Sequence, residues 1–205
     1  MGRIRPLLPP APRTVLDLGE GSGSNRDHFC NEGDEYVILE VDPDVRFVRE
    51  NLEKHSYVIG DAHSPVFAPS QFDLILMIEV LEHMRDPFKI FEHCSRWLKP
   101  EGKLFIKVPQ YWHIHGWPSD YFRYTVYGLR ELSRRARLEA VDSWPLGGPC
   151  VLMHAMFMIN FGRLLELPVL SQLISNPMLL LAKTCDWLFF RDYTRLKNPD
   201  TRGWI

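Results

Sequence analysis

Short apolar runs alternate with polar and glycine-bearing segments through the first half of the chain. Val15, Leu16 and Leu18 form the first run and Tyr36 to Val41 the second. Tyr57-Val58-Ile59 is a short third, Phe72 to Met77 a fourth and Lys103 to Val108 a fifth. Runs this short and this continuously apolar read as buried strands. The segments between them predict helices. Ser24 to Phe29 is polar and helix-compatible, and a further helix is expected near Arg46 to Lys54. A third opens at Asp86-Pro87, with Asp as N-cap and Pro at the first helical position. Phe88, Phe91, Ser95 and Leu98 keep helical spacing along it, and Lys99-Pro100-Glu101-Gly102 is its expected stop. Strands alternating with helices predict an α/β fold with a mostly parallel sheet. Thr125 then caps a helix burying Leu129 and Leu132, and Leu138 to Ser143 reads as a sixth strand. At Leu146-Gly147-Gly148-Pro149 the pattern changes to one or two apolar helices broken at Pro168 and Pro177. The expected division is a proline-rich lead over 1–13, a ligand-binding α/β domain over 14–145, and an apolar helical cap or insert over 146–205 packed on that domain.

Thr14 to Gly23, TVLDLGEGSG, organises the rest. Gly19, Gly21 and Gly23 fall at every second position after the first strand. Glycine there permits φ > 0 and lets a ligand lie against bare backbone. A strand feeding such a turn and then a helix is the nucleotide crevice of an α/β sheet. A dinucleotide fingerprint would place its third glycine at position 24, which is Ser24, and a phosphate-binding P-loop would need a lysine the segment lacks. Asp42, at the tip of the second strand, is placed to accept hydrogen bonds from a ribose diol. Glu40 is the reserve, and capping of the next helix is the alternative role.

The formal net charge of −2 and the absence of a long basic run argue against a nucleic-acid partner. The cysteines at 30, 94, 150 and 185 are far apart and form no C-x-x-C, which fits free thiols in a reducing compartment. The lead MGRIRPLLPPAPR lacks the apolar core of a signal peptide, and no window gives a convincing membrane span. A cytoplasmic protein is expected.

Motif and order together resemble one family. GxGxG with Asp17 two residues ahead, Gly60-Asp61-Ala62 after the third strand, FDLILMIEVLEH, and RWLKPEGKLFIKVP are similar to the type 11 class I S-adenosylmethionine (SAM) methyltransferases. The resemblance covers Thr14 to Pro109. Glu20 and Glu101 depart from the usual residues, the second being Gly in the family. The resemblance implies a Rossmann-like, doubly wound sheet in the order 3-2-1-4-5-(7)-6. The seventh strand is expected to be stunted or missing. It implies that Asp17, Gly19 and Gly21 line the methionine of SAM and that Asp42 takes the ribose. Asp61 and Ala62 then hold the adenine, and Ile78 and Glu79 close over the cofactor.

After the fifth strand, Gln110 to Thr125 is dense in aromatic and ionisable residues. It resembles an I-H-G-x-P-x-D-Y-x-R-Y-T stretch found in a subgroup of these enzymes. Tyr111 and Tyr121 are candidate walls of an acceptor pocket, and Asp120 and Arg123 candidate acceptor ligands. Fixing of the loop by an Arg123–Asp120 pair is the competing role. His115, then His83, are the candidate bases for a hydroxyl acceptor. His113, His115, His83, Glu82 and His93 were the residues open to a metal reading. With no H-E-x-x-H and no recognised ligand spacing, no metal is expected.

The expected function is SAM-dependent methyl transfer to O or N of a small, partly apolar acceptor. A catalytically silent Rossmann-like module acting through a partner is the alternative, with a nicotinamide-dependent oxidoreductase behind it. For the apolar C-terminal third, helix packing, a lid over an apolar substrate, and peripheral membrane contact through 150–190 all stand open. In the last case Trp187, Phe189, Phe190, Arg191 and Arg195 are the interfacial anchors.

Overall fold

The computed structural model describes residues 4–42, 55–161 and 168–189, with side chains of 160–161, 168–174 and 189 left aside. The chain divides into two compact units, Met1–Ala140 and Val141–Ile205. In the first unit, β1 (Thr14–Leu18), β2 (Glu35–Glu40), β3 (Ser56–Ile59), β4 (Phe72–Ile78) and β5 (Leu98–Lys107) form a sheet in the order β3-β2-β1-β4-β5. Every neighbouring pair is parallel. This is the Rossmann-like α/β arrangement expected from the sequence.

The apolar runs become strands because both faces are covered. Alternation sorts β4 cleanly: Leu74 and Leu76 join one core with Val15, Phe29, Tyr36 and Ile38, whereas Ile75 and Met77 join the other with Leu16, Leu18 and Leu39. The α-helices of the first unit among the described residues are α1 (Arg26–Phe29), α2 (Pro87–Trp97) and α3 (Val126–Arg135). Asp86 caps α2 by accepting from the Lys89 amide at 3.1 Å, and Thr125 caps α3 by accepting from Gly128 at 3.1 Å. The buried face of α2 is Ile90, Phe91, Cys94 and Trp97. Phe88, expected on that face, is exposed, with the Arg135 guanidinium 4.6 Å from its ring centre. The expected face was rotated by one residue position, because Phe88 and Phe91 cannot both lie at the centre of a face set by Ile90, Cys94 and Trp97.

Two further expectations are corrected. Lys99 to Gly102 does not separate helix from strand: α2 ends at Trp97, and β5 begins at once with Leu98 opposite Phe72. The Lys-Pro-Glu-Gly segment is absorbed as a register shift, with Glu101 at φ +65°. Residues 138–143 form no sixth strand; only Val141 makes an isolated bridge. In the expected order a sixth strand pairs with the seventh alone, and no such neighbour lies among the described residues. The expected helix near Arg46 to Lys54 and the segment expected to hold the seventh strand lie outside the described residues, as do Phe190, Arg191 and Arg195.

The second unit contains α4 (Pro149–Phe161) and α5 (Pro168–Phe189). Pro168 opens α5, and Pro177 sits inside it rather than breaking it. Asp186 accepts from the amides of Gly148 (2.9 Å), Cys150 (2.8 Å) and Val151 (3.1 Å), joining the end of one helix to the start of the other. No described helix is long and apolar enough to cross a membrane.

Candidate active site

The parallel ladder sets Leu18 opposite both Leu39 and Met77, and Glu40 opposite Ile59. The carboxyl ends of β1 to β4 therefore share one edge. The strand order reverses between β1 and β4, which is where open α/β sheets take ligands. Gly19, Gly21 and Gly23 have φ of +67°, +68° and +78°. A Cβ on Gly19 would sit 2.6 Å from Val80 Cγ2, so the turn after β1 closes only over glycine.

Asp17 lies buried one residue before the end of β1. Its Oδ2 accepts from Tyr36 Oη at 2.6 Å and Asn25 Nδ2 at 2.9 Å, while Oδ1 has no hydrogen-bond partner among the described residues. Burial outweighs those two donors and pushes its carboxyl up to about 7. Glu20, which departs from the family's usual residue, folds its carboxylate over the loop. It accepts from Ser22 Oγ (2.7 Å), Ser24 Oγ (2.6 Å), the Ser24 amide (3.1 Å) and the Gly23 amide.

The other candidates sit along the same edge. Asp42 is exposed just past β2, whereas Glu40 is buried and accepts from the Val41 amide at 2.8 Å. Asp61 follows β3 and accepts from the amide and Nδ1 of His63 at 2.9 and 2.7 Å. Ala62 beside it is buried, and its carbonyl accepts from His93 Nδ1 at 2.8 Å. Ile78 ends β4 half-buried. Glu79 is exposed at φ +54°, and its Oε1 lies 2.8 Å from Lys107 Nζ.

Beyond β4 a single 3-10 turn, Leu81–His83, carries the second half of the site. The loop between Val108 and Thr125 folds over it. The amides of Tyr121 and Phe122 donate to the Glu82 carbonyl at 2.9 and 3.3 Å, and Tyr124 Oη donates to the Leu81 carbonyl at 3.1 Å. Arg123 and Asp120 are bonded to each other at 2.5 and 2.8 Å. Arg123 also donates to the carbonyls of Trp112, His113 and Phe122, and Asp120 accepts from the His115 amide at 2.8 Å. The guanidinium holds the Asp120 carboxyl far below the usual carboxylate range. These two residues fix the loop, which is the competing role set out for them. Tyr111 and Tyr121 are exposed on it.

This clamp delivers His115 to His83, with ring centres 4.9 Å apart. Below both lies Glu82, which is fully buried. Its Oε1 is 3.9 Å from His83 Nε2 and 3.6 Å from His115 Nε2. Neither carboxylate oxygen has a hydrogen-bond partner among the described residues, and burial raises the carboxyl's pKa. Sequence reading placed Glu82 only among the residues open to a metal reading and gave it no part in cofactor or acceptor binding. The available signal was an acid set between Leu81 and His83 directly after an almost wholly apolar strand, where an unpaired charge is costly.

Residues 16–106 match the sequence profile of the family described as Methyltransferase domain. Among curated proteins, the chain is 28% identical over 119 residues to phosphoethanolamine N-methyltransferase 1 of Triticum aestivum, covering 55% of this chain and 23% of the relative. It is 30% identical over 111 residues to the ubiquinone biosynthesis O-methyltransferase of Xylella fastidiosa, covering 51% and 45%. The chain thus spans less than half the length of either relative. Among solved structures, a SAM-dependent methyltransferase of Methanosarcina mazei shares the fold, with TM-score 0.57, 19% identity and coverage of 71% and 87%.

Proposed function

With residues 16–106 forming a class I methyltransferase domain of the type 11 kind, whose cofactor is S-adenosyl-L-methionine, we propose that this chain transfers a methyl group from SAM to O or N of a small acceptor. The observation that carries the reading is the meeting of two half-sites at one sheet edge. Asp17 near the end of β1 and the glycine loop after it form one; Glu82 and His83 after the neighbouring strand β4, joined by His115 from the loop after β5, form the other.

The residues present fit the cofactor. Asp17 Oδ1 is a buried oxygen without a partner among the described residues, beside a glycine turn, and suits an ammonium donor such as that of the methionine moiety. Asp42 at the tip of β2 suits the ribose hydroxyls, and Asp61 with Ala62 the adenine edge. When bound, SAM supplies a methyl group already activated on a sulfonium. The protein's part is then to align the acceptor and exclude water. His115 and His83 stand where the acceptor's proton has to be managed. Glu82 beneath them favours positive charge at that point, whether carried by a proton or by a cation.

Calorimetric titration with SAM tests the first half of the proposal. The chain binds SAM and not NAD, and Asp42→Ala weakens binding by about 1–3 kcal/mol through loss of charge-assisted hydrogen bonds. Unchanged affinity in that variant moves the ribose contact to Glu40. Conversion of SAM to its demethylated product with a panel of hydroxyl and amine acceptors tests the second half and separates an enzyme from a silent binding module.

A further inference from the structure

Three potential donor atoms converge: Glu82 Oε1, His83 Nε2 and His115 Nε2. We propose that they form a binding site for one divalent transition-metal cation. All three atoms lie within 4.8 Å of one another. Tetrahedral coordination at the usual Zn–N and Zn–O lengths needs ligand atoms about 3.3 Å apart. The separations of 3.6 and 3.9 Å from Glu82 therefore need only a small contraction around an ion.

Three features of the site point to a metal. First, Glu82 is fully buried with both oxygens unpartnered among the described residues. A buried carboxylate left this way is costly unless a cation sits on it. Second, the His83 tautomer is set by its far side. Nδ1 donates to the Ser119 carbonyl, which leaves the Nε2 lone pair facing Glu82. A backbone carbonyl bonded to the rear nitrogen of an imidazole is the usual support of a metal-bound histidine. Third, His115 is built the same way. Its Nδ1 faces the His113 carbonyl at 3.3 Å and Asp120 Oδ2 at 3.5 Å, and Asp120 is itself anchored by Arg123. Gly116 permits the close approach, because a Cβ there would sit 2.8 Å from His83 Cε1.

Two imidazoles and one carboxylate suit Zn²⁺, Mn²⁺ or Co²⁺ better than Ca²⁺ or Mg²⁺. Three protein ligands leave at least one position open, as in catalytic rather than structural sites. The open position falls beside the tip of β4, so the occupant expected there is an oxygen of the acceptor. The cation would then lower that oxygen's pKa and hold it in place, with His115 serving as ligand instead of base. The binding itself does not depend on the methyltransferase reading, since SAM is not among the ligands.

The test is titration of the chelator-stripped chain with Zn²⁺ by calorimetry and with Mn²⁺ by electron paramagnetic resonance. The expected result is one ion per chain and a rise in melting temperature on adding Zn²⁺. His115→Ala and Glu82→Gln should lower affinity more than about 100-fold, beyond what loss of a supporting residue gives. His28→Ala, an exposed histidine elsewhere, leaves affinity unchanged. Glu82→Gln also discriminates without activity: it should raise the metal-free melting temperature while abolishing the Zn²⁺-induced rise. The proposal is overturned if the wild-type chain takes up no stoichiometric ion, or if His115→Ala, shown folded by circular dichroism, binds as tightly as wild type. SAM titration of the same metal-free sample reports separately on the methyltransferase reading.

Discussion

Asp17 and Glu82 are two buried carboxylates at one edge of the same sheet, and the fold treats them differently. Asp17 is given a phenol and an amide on one oxygen, and its other oxygen has no partner among the described residues. Glu82 is given no hydrogen-bond donor among the described residues, only two imidazole nitrogens at 3.6 and 3.9 Å. Asp17 is thus partly a structural residue: its neighbours need it as an acceptor. Glu82 is not needed by its neighbours in this way, which is why the proposed cation is placed on it and not on Asp17.

The largest effect separates the two directly. Asp17→Ala leaves the buried Tyr36 hydroxyl without its acceptor and should destabilise the chain by about 2–3 kcal/mol. Glu82→Gln removes an uncompensated buried charge and should stabilise the metal-free chain by about 1 kcal/mol. Urea denaturation with chelator present reads both. Two changes of the same sign would break the contrast.

The second effect is a pH dependence. The folded Asp17 carboxyl is raised to about 7 from an ordinary value of 3.8. A raised pKa means that the folded state holds the proton over an interval where the unfolded state has lost it. Stability from this group is therefore complete below about pH 4, declines as pH rises, and is gone above about pH 7. The steepest slope approaches about 1.4 kcal/mol per pH unit for one proton. Asp17→Asn keeps an acceptor for Tyr36 and Asn25 but cannot titrate. The difference in stability between wild type and Asp17→Asn, measured by urea denaturation from pH 4 to 8, should follow this course. A difference independent of pH would mean that Asp17 is charged throughout, and the two carboxylates would then be alike.

Much of the first half-site was legible in the sequence. The runs around Val15, Ile38 and Ile75 have no other use than strands covered on both faces, and parallel strands carry their ends to one edge. The caps at Asp86 and Thr125 were legible because an N-cap is a local device, written within four residues. Glu82 was named only as one of five residues open to a metal reading; its meeting with His115 was not legible, because His115 lies far along the chain in a loop without periodicity. What brings that loop back is the pair of Tyr121 and Phe122 amides on the Glu82 carbonyl, with the Tyr124 hydroxyl on the Leu81 carbonyl, and backbone bonds leave no trace in residue type. The phase of α2 was misjudged for a related reason: Phe88 is apolar enough for the core but lies where Arg135 reaches its ring. Glu20 was noted only as a departure from the family's usual residue, because its bonds to Ser22, Gly23 and Ser24 depend on how the loop folds.

The smallest effect transfers the contrast from side chains to backbone. Glu79 and Glu101 both have left-handed φ, +54° and +65°, a region that disfavours any side chain with a Cβ. Glu101 sits in the register shift of β5, away from the ligand edge, whereas Glu79 joins β4 to the Glu82 turn. Glycine at either position removes about 1–2 kcal/mol of strain and gives back part of it through a looser unfolded chain. Glu101→Gly should therefore gain about 0.5–1 kcal/mol in urea denaturation and leave SAM affinity as it was. Glu79→Gly should gain less or nothing, because it also loses the exposed pair with Lys107, and its SAM affinity should fall. Strain that persists beside a ligand is expected to serve the ligand, and strain elsewhere only to burden the fold. If both variants gain stability and bind SAM equally well, the strained turn after β4 has no part in positioning the cofactor.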